Sequence, residues 1–341
     1  MIRIGIICPS EIAARRFLPA LRKAGNICFA GVAIADKTEF KGATDVVIEA
    51  ERAKAQAMID NYGGRLFESY HALITSDEVD AVYLPLPPGL HYQWAKQALE
   101  AGKHLLVEKP ATTSLTDTAD LIELARKKKL AVHENYMFVF HRQIQEANDI
   151  VMSGEIGDVR LYRIDFGFPM RAANDFRYKK VLGGGALLDC GGYTLKYASL
   201  LLGNTCQIEY ARLNTIEDFE VDMYGSCALS NDKGQMAQVS FGMDNDYRCN
   251  LEVWGSKGTL RSGRILTAPE GFVPSYTISR NGEIIEGNFS ADDAFLKSIH
   301  RFDYCVISDT CREENYQILL KQAELVDEFK NKSNQQPCNN R

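Results

Sequence analysis

The first 135 residues alternate short apolar segments with amphipathic segments, and this alternation restricts the fold more than any other feature of the chain. Strand, helix and strand repeated in this way predict a parallel sheet with helices on both faces. The predicted strands include Arg3–Cys8, Phe29–Ala35, Ala81–Leu84, His104–Val107 and Leu130–His133, of which the last two are interpreted as the fifth and sixth of the sheet. The predicted helices between them are Ile12–Ala24, Glu49–Tyr62, His91–Ala101 and Asp117–Lys128.

A different pattern follows residue 135. Gln207–Leu213, Met236–Met243 and Cys249–Trp254 each place apolar residues at every second position. This alternation is typical of an antiparallel sheet with one covered face. A predicted helix, Gln143–Ser153, and a long predicted strand, Val159–Phe168, precede these segments. We therefore expect a C-terminal α+β domain with a large, open, mainly antiparallel sheet.

The change of pattern predicts two domains, at residues 1–135 and 136–330. The second domain should close with two helices, Asp293–Ser308 and Glu313–Lys330. The last residues, 331–341, are polar and offer little apolar surface to bury. We expect them to form a disordered tail.

Composition excludes several classes of function. The 341 residues are 45% hydrophobic and 25% charged, which suits a soluble globular protein of two domains. A net charge of −6 without a basic stripe argues against a nucleic-acid partner. No apolar run is long enough to span a membrane. The opening residues begin a strand and lack the pattern of a signal peptide, so we predict a cytoplasmic protein.

The nine cysteines are scattered and form no C-x-x-C pair. Cys8, Cys28, Cys227 and Cys249 lie in apolar segments, where a reduced cysteine behaves as a small hydrophobic residue. No cluster of histidines and carboxylates has the spacing of metal ligands. We therefore predict structural thiols and no metal site.

The loop after the first strand is a candidate phosphate site, although it lacks all three glycines of a G-x-G-x-x-G fingerprint. It reads Cys8, Pro9, Ser10, Glu11 and Ile12. Small residues still permit a pyrophosphate to approach the backbone, and the following helix offers free N–H groups and a partial positive charge. Its position between the first strand and first helix favours dinucleotide binding over a plain turn.

The end of the second strand bears on cofactor choice. An acidic residue there can bind the ribose hydroxyls of NAD, whereas a cation favours the extra phosphate of NADP. Asp36 and Lys37 stand side by side at this point. The sequence therefore leaves NAD and NADP open, and a simple surface turn remains an alternative for this pair.

The fifth strand of the predicted parallel sheet ends in Glu108, Lys109 and Pro110. Strand ends of open α/β sheets point into the crevice where ligands bind. An acid, a cation and a proline at such an end favour a working site over a solvated turn. The β-α-β context of this strand strengthens that interpretation.

A glycine-rich segment, Gly183–Gly185, leads into a predicted helix that carries Asp189 and Tyr193 on one face. Gly191 and Gly192 interrupt this helix and weaken it by about 1 kcal/mol each relative to alanine. We expect a cofactor or the neighbouring domain to pack against these two glycines.

Taken together, these motifs resemble the Gfo/Idh/MocA oxidoreductases, the glucose–fructose oxidoreductase and inositol dehydrogenase family. The resemblance covers nearly the whole chain and implies a Rossmann domain followed by a substrate-binding and oligomerisation domain. Such enzymes move a hydride between a nicotinamide cofactor, NAD or NADP, and a secondary alcohol or ketone of a sugar. The motifs occur in the family's order: the first strand and its loop, Pro85–Pro88 with His91, Glu108–Pro110, Glu134–Met137, and the Asp189/Tyr193 helix.

The resemblance implies a role for each candidate residue. Lys109, Tyr193 and Asp189 would be catalytic, with Tyr193 as the acid/base and a cation such as Lys109 stabilising its anion. The implied cofactor-binding residues are Cys8, Pro9, Ser10, Glu11, Ile12, Asp36, Lys37, Leu86, Pro87, His91, Glu108, Lys109 and Asn135. The implied substrate-binding residues are Lys109, Phe166, Arg177, Tyr178, Asp189, Tyr193 and Tyr247.

Many family members carry histidine where this chain has Tyr193, and the segments Phe176–Tyr178, Phe241–Met243, Trp254–Ser256 and Thr267–Pro269 look most like nucleotide-linked deoxysugar 3-ketoreductases. A sugar or nucleotide-sugar substrate is therefore expected. Three alternatives stay open: a glycosidase that retains NAD, a dihydrodiol or xylose dehydrogenase, and a non-catalytic sensor. The sequence does not name the sugar or the direction of reaction.

The same resemblance implies a homodimer or homotetramer. The outer face of the C-terminal sheet is the expected contact, because alternating strands leave a flat surface there. The sequence does not choose between the two assemblies.

Overall fold

The computed structural model describes residues 1–40 and 42–334. Contacts within the chain divide it into two compact units. The first unit consists of Met1–Asn135 and Phe295–Leu320, and the second consists of Tyr136–Ala294 and the residues from Lys321 onward. No helix in the described part of the chain is both long and apolar enough to cross a membrane.

The first unit contains a six-stranded sheet in the order β3-β2-β1-β4-β5-β6, with every neighbouring pair parallel. This is the doubly wound order in which the direction of winding reverses between β1 and β4, where a crevice opens at the carboxyl ends of the strands. The predicted Rossmann fold is confirmed. The strands are β1 Ile2–Ile7, β2 Ile27–Ala33, β3 Arg65–Phe67, β4 Ala81–Leu84, β5 His104–Val107 and β6 Val132–Glu134.

Five helices of this unit follow its strands, and serine or threonine side chains cap three of them. Thr44, Ser69 and Ser114 accept hydrogen bonds from backbone N–H groups of the first turns of α2, α3 and α5, respectively. A π-helical segment, Ala13–Phe17, precedes the short first helix. The bounds are α1 Leu18–Leu21, α2 Asp45–Tyr62, α3 Tyr70–Thr75, α4 His91–Glu100 and α5 Leu115–Lys128.

The second unit contains an eight-stranded sheet in the order β14-β13-β12-β11-β7-β10-β9-β8. All neighbouring pairs are antiparallel except β7 with β10, which are parallel. The predicted open, mainly antiparallel sheet is confirmed. The strands are β7 Val159–Gly167, β8 Gln207–Thr215, β9 Asp222–Ser230, β10 Met236–Gly242, β11 Arg248–Gly255, β12 Thr259–Ser262, β13 Ser275–Arg280 and β14 Glu283–Asn288.

Helices cover one face of this sheet. They include α6, Arg142–Met152, and α7, Gly192–Leu202, and α7 contacts β7 and β10. Phe166 of β7 pairs with Phe241 of β10 and with Cys249 of β11, and all three side chains are buried. This cross-strand row lies on the helix-covered face, as the period of two along each strand requires.

The last two helices are α8, Ala294–Ile307, and α9, Asp309–Asn334. The sequence analysis assigns both to the second domain, but Phe295–Leu320 belongs to the first unit. Asn315 and Tyr316 explain this difference, because they donate hydrogen bonds to the carbonyls of Val132 and Leu130 beside β6. These contacts join residues more than 180 positions apart, which local patterns do not show.

The predicted tail also needs correction. Helix α9 continues through Asn334, four residues beyond its predicted end, so residues 331–334 are helical rather than disordered. Residues 335–341 of the predicted tail lie outside the described residues.

One histidine of the first unit should make its stability depend on pH. Burial lowers the pKa of His104 to about 4. His104 Nδ1 accepts a hydrogen bond from Ala131 N at 2.9 Å, which requires the unprotonated nitrogen. In an unfolded chain this group has a pKa near 6.5. Between pH 6.5 and 4 the unfolded chain therefore binds more protons than the folded chain.

We expect the free energy of unfolding to fall as the pH is lowered through this range, by up to about 3 kcal/mol for His104. Urea unfolding at pH 7 and pH 4.5 measures the change. His104→Asn cannot titrate, and its amide oxygen can still accept from Ala131 N, so its stability should fall less with pH than that of the wild type. Equal dependence in the two proteins would contradict this assignment.

Candidate active site

Lys109 follows β5 at the carboxyl edge of the parallel sheet, and the residue before it is firmly held. Glu108 Oε1 accepts hydrogen bonds from Tyr83 Oη at 2.6 Å and from Asn135 Nδ2 at 2.7 Å. Burial raises the pKa of the Glu108 carboxyl, and the two hydrogen bonds and the charge of Lys109 oppose this rise. The two donors favour the ionised carboxylate, which in turn fixes the start of the loop.

His91 holds the other side of the same loop. Its Nδ1 lies 2.8 Å from the Pro110 carbonyl and its Nε2 lies 2.6 Å from the Leu86 carbonyl. The side chain is completely buried, so its polar atoms serve the protein backbone. His91 therefore braces Leu86 and Pro110, and its contact with the cofactor stays a prediction.

Two further hydrogen bonds complete the support of the loop. Glu134 Oε1 accepts from Ala111 N at 2.8 Å, and Glu108 N donates to Leu84 O at 3.0 Å. The peptide between Lys109 and Pro110 is cis. Residues on both sides of Lys109 are therefore fixed by buried groups, and the half-buried Lys109 side chain starts from a defined backbone position.

The loop after β1 keeps the features of a phosphate site despite its lack of glycines. Cys8 adopts a φ of 75°, a left-handed conformation that a glycine would ordinarily occupy. Ser10 Oγ accepts a hydrogen bond from Ala13 N at 3.2 Å and caps the helix. The N–H groups of Glu11 and Ile12 belong to the first helical turn, where N–H groups have no partner inside the helix. These donors fit a pyrophosphate.

Asp36 and Lys37 have different surroundings at the end of β2. Asp36 Oδ1 accepts hydrogen bonds from the Thr38 hydroxyl, from Thr38 N and from Glu39 N, and these bonds lower the pKa of Asp36. Lys37 Nζ lies 2.6 Å from Asp45 Oδ1 in an exposed ion pair. Exposed pairs contribute roughly 1 kcal/mol or less, so Lys37 can turn to a phosphate at little cost.

Three aromatic rings of the second unit surround Tyr193. Tyr136 and Phe166 meet its ring edge to face at centroid distances of 5.1 and 5.2 Å, and Phe138 lies at 5.7 Å. Only 7% of Tyr193 is exposed. Such packing fixes the ring plane and therefore the direction of the phenolic oxygen.

The glycines beside Tyr193 make room for side chains of the same unit. A Cβ on Gly191 would lie 3.0 Å from the Phe241 ring, and one on Gly192 would lie 2.2 Å from Tyr136 Oη. The close neighbours of both glycines therefore include side chains of the second unit itself, and a cofactor or the other domain beside them stays a prediction. The residues Leu187–Gly191 also form a π-helical turn rather than an α-helix, a distortion that is frequent at functional sites.

Asp189 lies in this π-helical turn and is paired. Arg177 Nε lies 2.7 Å from Asp189 Oδ2, and Arg177 Nη1 lies 3.1 Å from Asp175 Oδ1. Burial tends to lower the pKa of Arg177, but the Asp189 and Asp175 carboxylates outweigh it and raise the value. Arg177 thus orients Asp189 within a largely buried ion-pair cluster.

Gly184 and Gly185 allow the turn at Phe176–Tyr178 to pack closely against the start of the helical segment that carries Asp189. Gly185 N donates to Arg177 O at 2.9 Å, and a Cβ on Gly184 would lie 2.3 Å from that same carbonyl oxygen. A Cβ on Gly185 would lie 2.4 Å from Asp222 Oδ1, and Asp222 Oδ2 accepts from Leu187 N at 2.7 Å. Only glycine permits these approaches.

Two predicted substrate residues have internal partners. The Tyr178 hydroxyl accepts a hydrogen bond from Arg171 N at 2.7 Å, and its ring packs on Phe219. Tyr178 is 5% exposed, so it shapes the neighbouring loop. Tyr247 is 40% exposed, and its hydroxyl lies 2.9 Å from Thr267 Oγ1. Tyr247 therefore remains a candidate for direct substrate contact.

Several residues at these sites were missed by sequence reasoning. Tyr136 lies in the Glu134–Met137 motif, and Phe138 follows two residues later. This cluster of aromatic residues could have suggested both. Tyr83, Asp222 and Ser298 carry no local signal, because each acts on residues far away in the chain.

Comparison with known proteins agrees with this arrangement. The family described as an oxidoreductase family with an NAD-binding Rossmann fold matches residues 2–136, and the GFO/IDH/MocA C-terminal domain matches residues 144–261. A dTDP-3,4-didehydro-2,6-dideoxy-alpha-D-glucose 3-reductase from Actinomadura kijaniata is 37% identical over 96% of this chain and 94% of its own length. A D-xylose 1-dehydrogenase (NADP(+)) from Haloferax volcanii is 30% identical over 75% of this chain and 79% of its own length.

A solved structure gives the same result. The 3-ketoreductase KijD10 from Actinomadura kijaniata, in complex with NADP and TDP-benzene, superposes with a TM-score of 0.88 at 36% identity and covers 97% of both chains. Variants of KijD10 with one tyrosine changed to phenylalanine or one lysine changed to alanine have also been solved with the same two ligands. Both domains match the family, and relatives are similar over nearly the full length of the chain. The chain therefore belongs to the Gfo/Idh/MocA oxidoreductases and is an NAD(P)-dependent enzyme.

Proposed function

We propose that the enzyme reduces the C3 ketone of a dTDP-linked 2,6-dideoxyhexose with NADPH. The observation that carries this proposal is that one chain holds two groups in defined positions. Lys109 lies in a braced loop after β5, and Tyr193 on α7 is oriented by three aromatic rings from other segments. The similarity to 3-reductases over nearly the full length of the chain supports the substrate class. The identity of the sugar is inferred from the activity for which those relatives are named.

The proposed chemistry needs a hydride and a proton. NADPH supplies the hydride when bound. Tyr193 donates a proton to the oxygen of the ketone as negative charge develops there. Lys109 stabilises the resulting phenolate, because a nearby cation favours the ionised form of a tyrosine. Both groups would have to meet the same substrate oxygen, which single and double variants of Lys109 and Tyr193 test.

Asp189 and Arg177 would position the sugar. Their ion pair is 12% and 20% exposed at the two side chains, so water screens it only weakly. A carboxylate held by Arg177 is a fixed acceptor for a sugar hydroxyl. Phe166 supports Tyr193 from β7, and we assign it to packing rather than to a polar substrate contact.

For cofactor choice, we favour NADP through Lys37. Asp36 Oδ1 is occupied by its own turn, whereas Lys37 is held only by an exposed ion pair with Asp45. A lysine can bind the 2′-phosphate as a point charge. The cofactor of the similar solved structure is NADP.

The outer face of the eight-stranded sheet is the proposed contact between subunits. Trp254 is 38% exposed on this face, and Arg163 stacks on its ring at 3.9 Å. A polar groove of about 480 Å³ lies beside them, lined in part by Asp165, Arg248 and Arg261. Large aromatic and arginine side chains are enriched at subunit interfaces. Light scattering distinguishes a monomer from a dimer or tetramer.

The direct test of function is NADPH oxidation with a dTDP-linked 3-ketosugar made in situ. We expect turnover with this substrate and little with D-xylose or a dihydrodiol. Turnover of D-xylose alone would favour a dehydrogenase of that type. Glycoside cleavage without a net change in nicotinamide absorbance would favour an NAD-retaining glycosidase. Binding of NADP and sugar without any reaction would favour a non-catalytic sensor.

Tyr193→Phe should lower kcat by roughly 10²- to 10⁴-fold, the usual contribution of a positioned acid, with little change in NADP affinity. The ring stays in its aromatic surroundings, so the fold should be preserved. Tyr197→Phe is a matched control, because it removes a buried phenol hydroxyl from the same helix and should keep near-normal kcat.

Lys109→Ala should cause a similar loss, and the double variant with Tyr193→Phe should lose far less than the product of the two effects. Losses that multiply would mean that the two groups act independently. Normal turnover of Tyr193→Phe would move the acid to another group.

Lys37→Ala should weaken NADP binding by roughly 10- to 100-fold, the range for loss of a hydrogen bond to a charged group, and leave NAD binding unchanged. Isothermal titration with each cofactor measures this. Asp45→Asn is the control, because it releases Lys37 without removing its charge and should not weaken NADP binding. Unchanged NADP affinity in Lys37→Ala would refute the assignment.

A further inference from the structure

A chain of buried hydrogen bonds leads from helix α8 to the residue beside Lys109. Ser298 Oγ lies 2.9 Å from His133 Nε2 and 2.7 Å from Asn135 Oδ1. Asn135 Nδ2 lies 2.7 Å from Glu108 Oε1. Ser298 and Asn135 are each 1% exposed, and His133 is 2% exposed. All of these residues belong to the first unit.

The chemistry of each group fixes the direction of this chain. The Glu108 carboxylate accepts hydrogen bonds, so it must face the Nδ2 donor of Asn135. Asn135 Oδ1 then faces Ser298, whose single hydroxyl proton must be donated to it. The remaining lone pairs of Ser298 Oγ can only accept, so His133 Nε2 must carry a proton. Every donor in the series therefore points toward Glu108.

Reversing the Asn135 amide would break two contacts at once. It would place Oδ1 against the Glu108 carboxylate and Nδ2 against the Ser298 hydroxyl. Both ends of the amide are buried, where an unmatched polar atom is costly. Ser298 and Glu108 thus define one orientation of Asn135, and Asn135 and Tyr83 together define the position of Glu108.

We propose that Ser298 is a positioning residue for catalysis: it acts through Asn135 and Glu108 to hold the loop that carries Lys109. The proposal rests on the proposed function, because it gives Lys109 a catalytic role. It also gives a reason for the return of Phe295–Leu320 to the first unit, since this return brings the Ser298 hydroxyl to the Lys109 loop.

The experiment compares Ser298→Ala, Asn135→Ala and the double variant with wild type. Two quantities are measured: amide hydrogen exchange of residues 108–111, and kcat with KM for NADPH-dependent reduction. Tyr316→Phe is the matched control. It removes a buried hydroxyl that joins α9 to Leu130 and touches none of Ser298, Asn135 and Glu108.

We expect Ser298→Ala to speed exchange at residues 108–111 and to lower kcat roughly 2- to 10-fold, the range for one lost neutral hydrogen bond, with KM for the sugar little changed. Because Ser298 acts through Asn135, adding Ser298→Ala to Asn135→Ala should have little further effect. Tyr316→Phe should lower the melting temperature but leave loop exchange and kcat as in wild type.

Unchanged loop exchange and kcat in Ser298→Ala would overturn the proposal and leave Ser298 with packing alone. Multiplicative effects in the double variant would overturn it too, since they would separate Ser298 from Asn135. Failure of the proposed function has a different result. Wild-type protein would then reduce no sugar, while hydrogen exchange at residues 108–111 would still report whether Ser298 holds the loop.

Discussion

A single carboxylate oxygen, Oε1 of Glu108, joins parts of three neighbouring strands of the nucleotide-binding unit beside Lys109. Tyr83 from β4 and Asn135 at the end of β6 both donate to it, so neighbours on each side of β5 meet at one atom. Burial alone would drive this carboxyl toward its neutral form, and the donors and Lys109 oppose that tendency. Loss of the acceptor would leave two buried donors unmatched, which makes the arrangement strongly cooperative.

The second unit fixes its reactive group by different physics. Tyr193 is oriented by ring packing with Tyr136, Phe138 and Phe166, and glycines at 191 and 192 let the helix approach Phe241 and Tyr136. Hydrogen bonds position the loop of Lys109, whereas aromatic packing positions the ring of Tyr193. Asn135 supports Glu108 and the next residue, Tyr136, packs on Tyr193, so consecutive residues support the two proposed catalytic groups.

The sequence was sufficient for features that depend on local periodicity. Alternating strands and helices predicted the parallel sheet, and Lys109 was placed correctly at the end of β5. Long-range contacts were beyond it: Asn315 and Tyr316 attach α9 to the first unit, against the predicted domain assignment. The sequence also did not show that Phe241 and Tyr136 lie against Gly191 and Gly192, because spacing does not reveal which atoms fill the space beside a glycine. The contacts of both His91 nitrogens with backbone carbonyls were likewise not visible in the sequence.

Hydride transfer to a defined carbon tests the account most directly. The enzyme would be supplied with NADPH deuterated at both transferable positions of the nicotinamide ring and with a dTDP-linked 3,4-diketo-2,6-dideoxyhexose. The account predicts one deuterium at C3 of the sugar product, detected by mass spectrometry and NMR. Deuterium at C4, or a product without deuterium while NADPH is consumed, would contradict it.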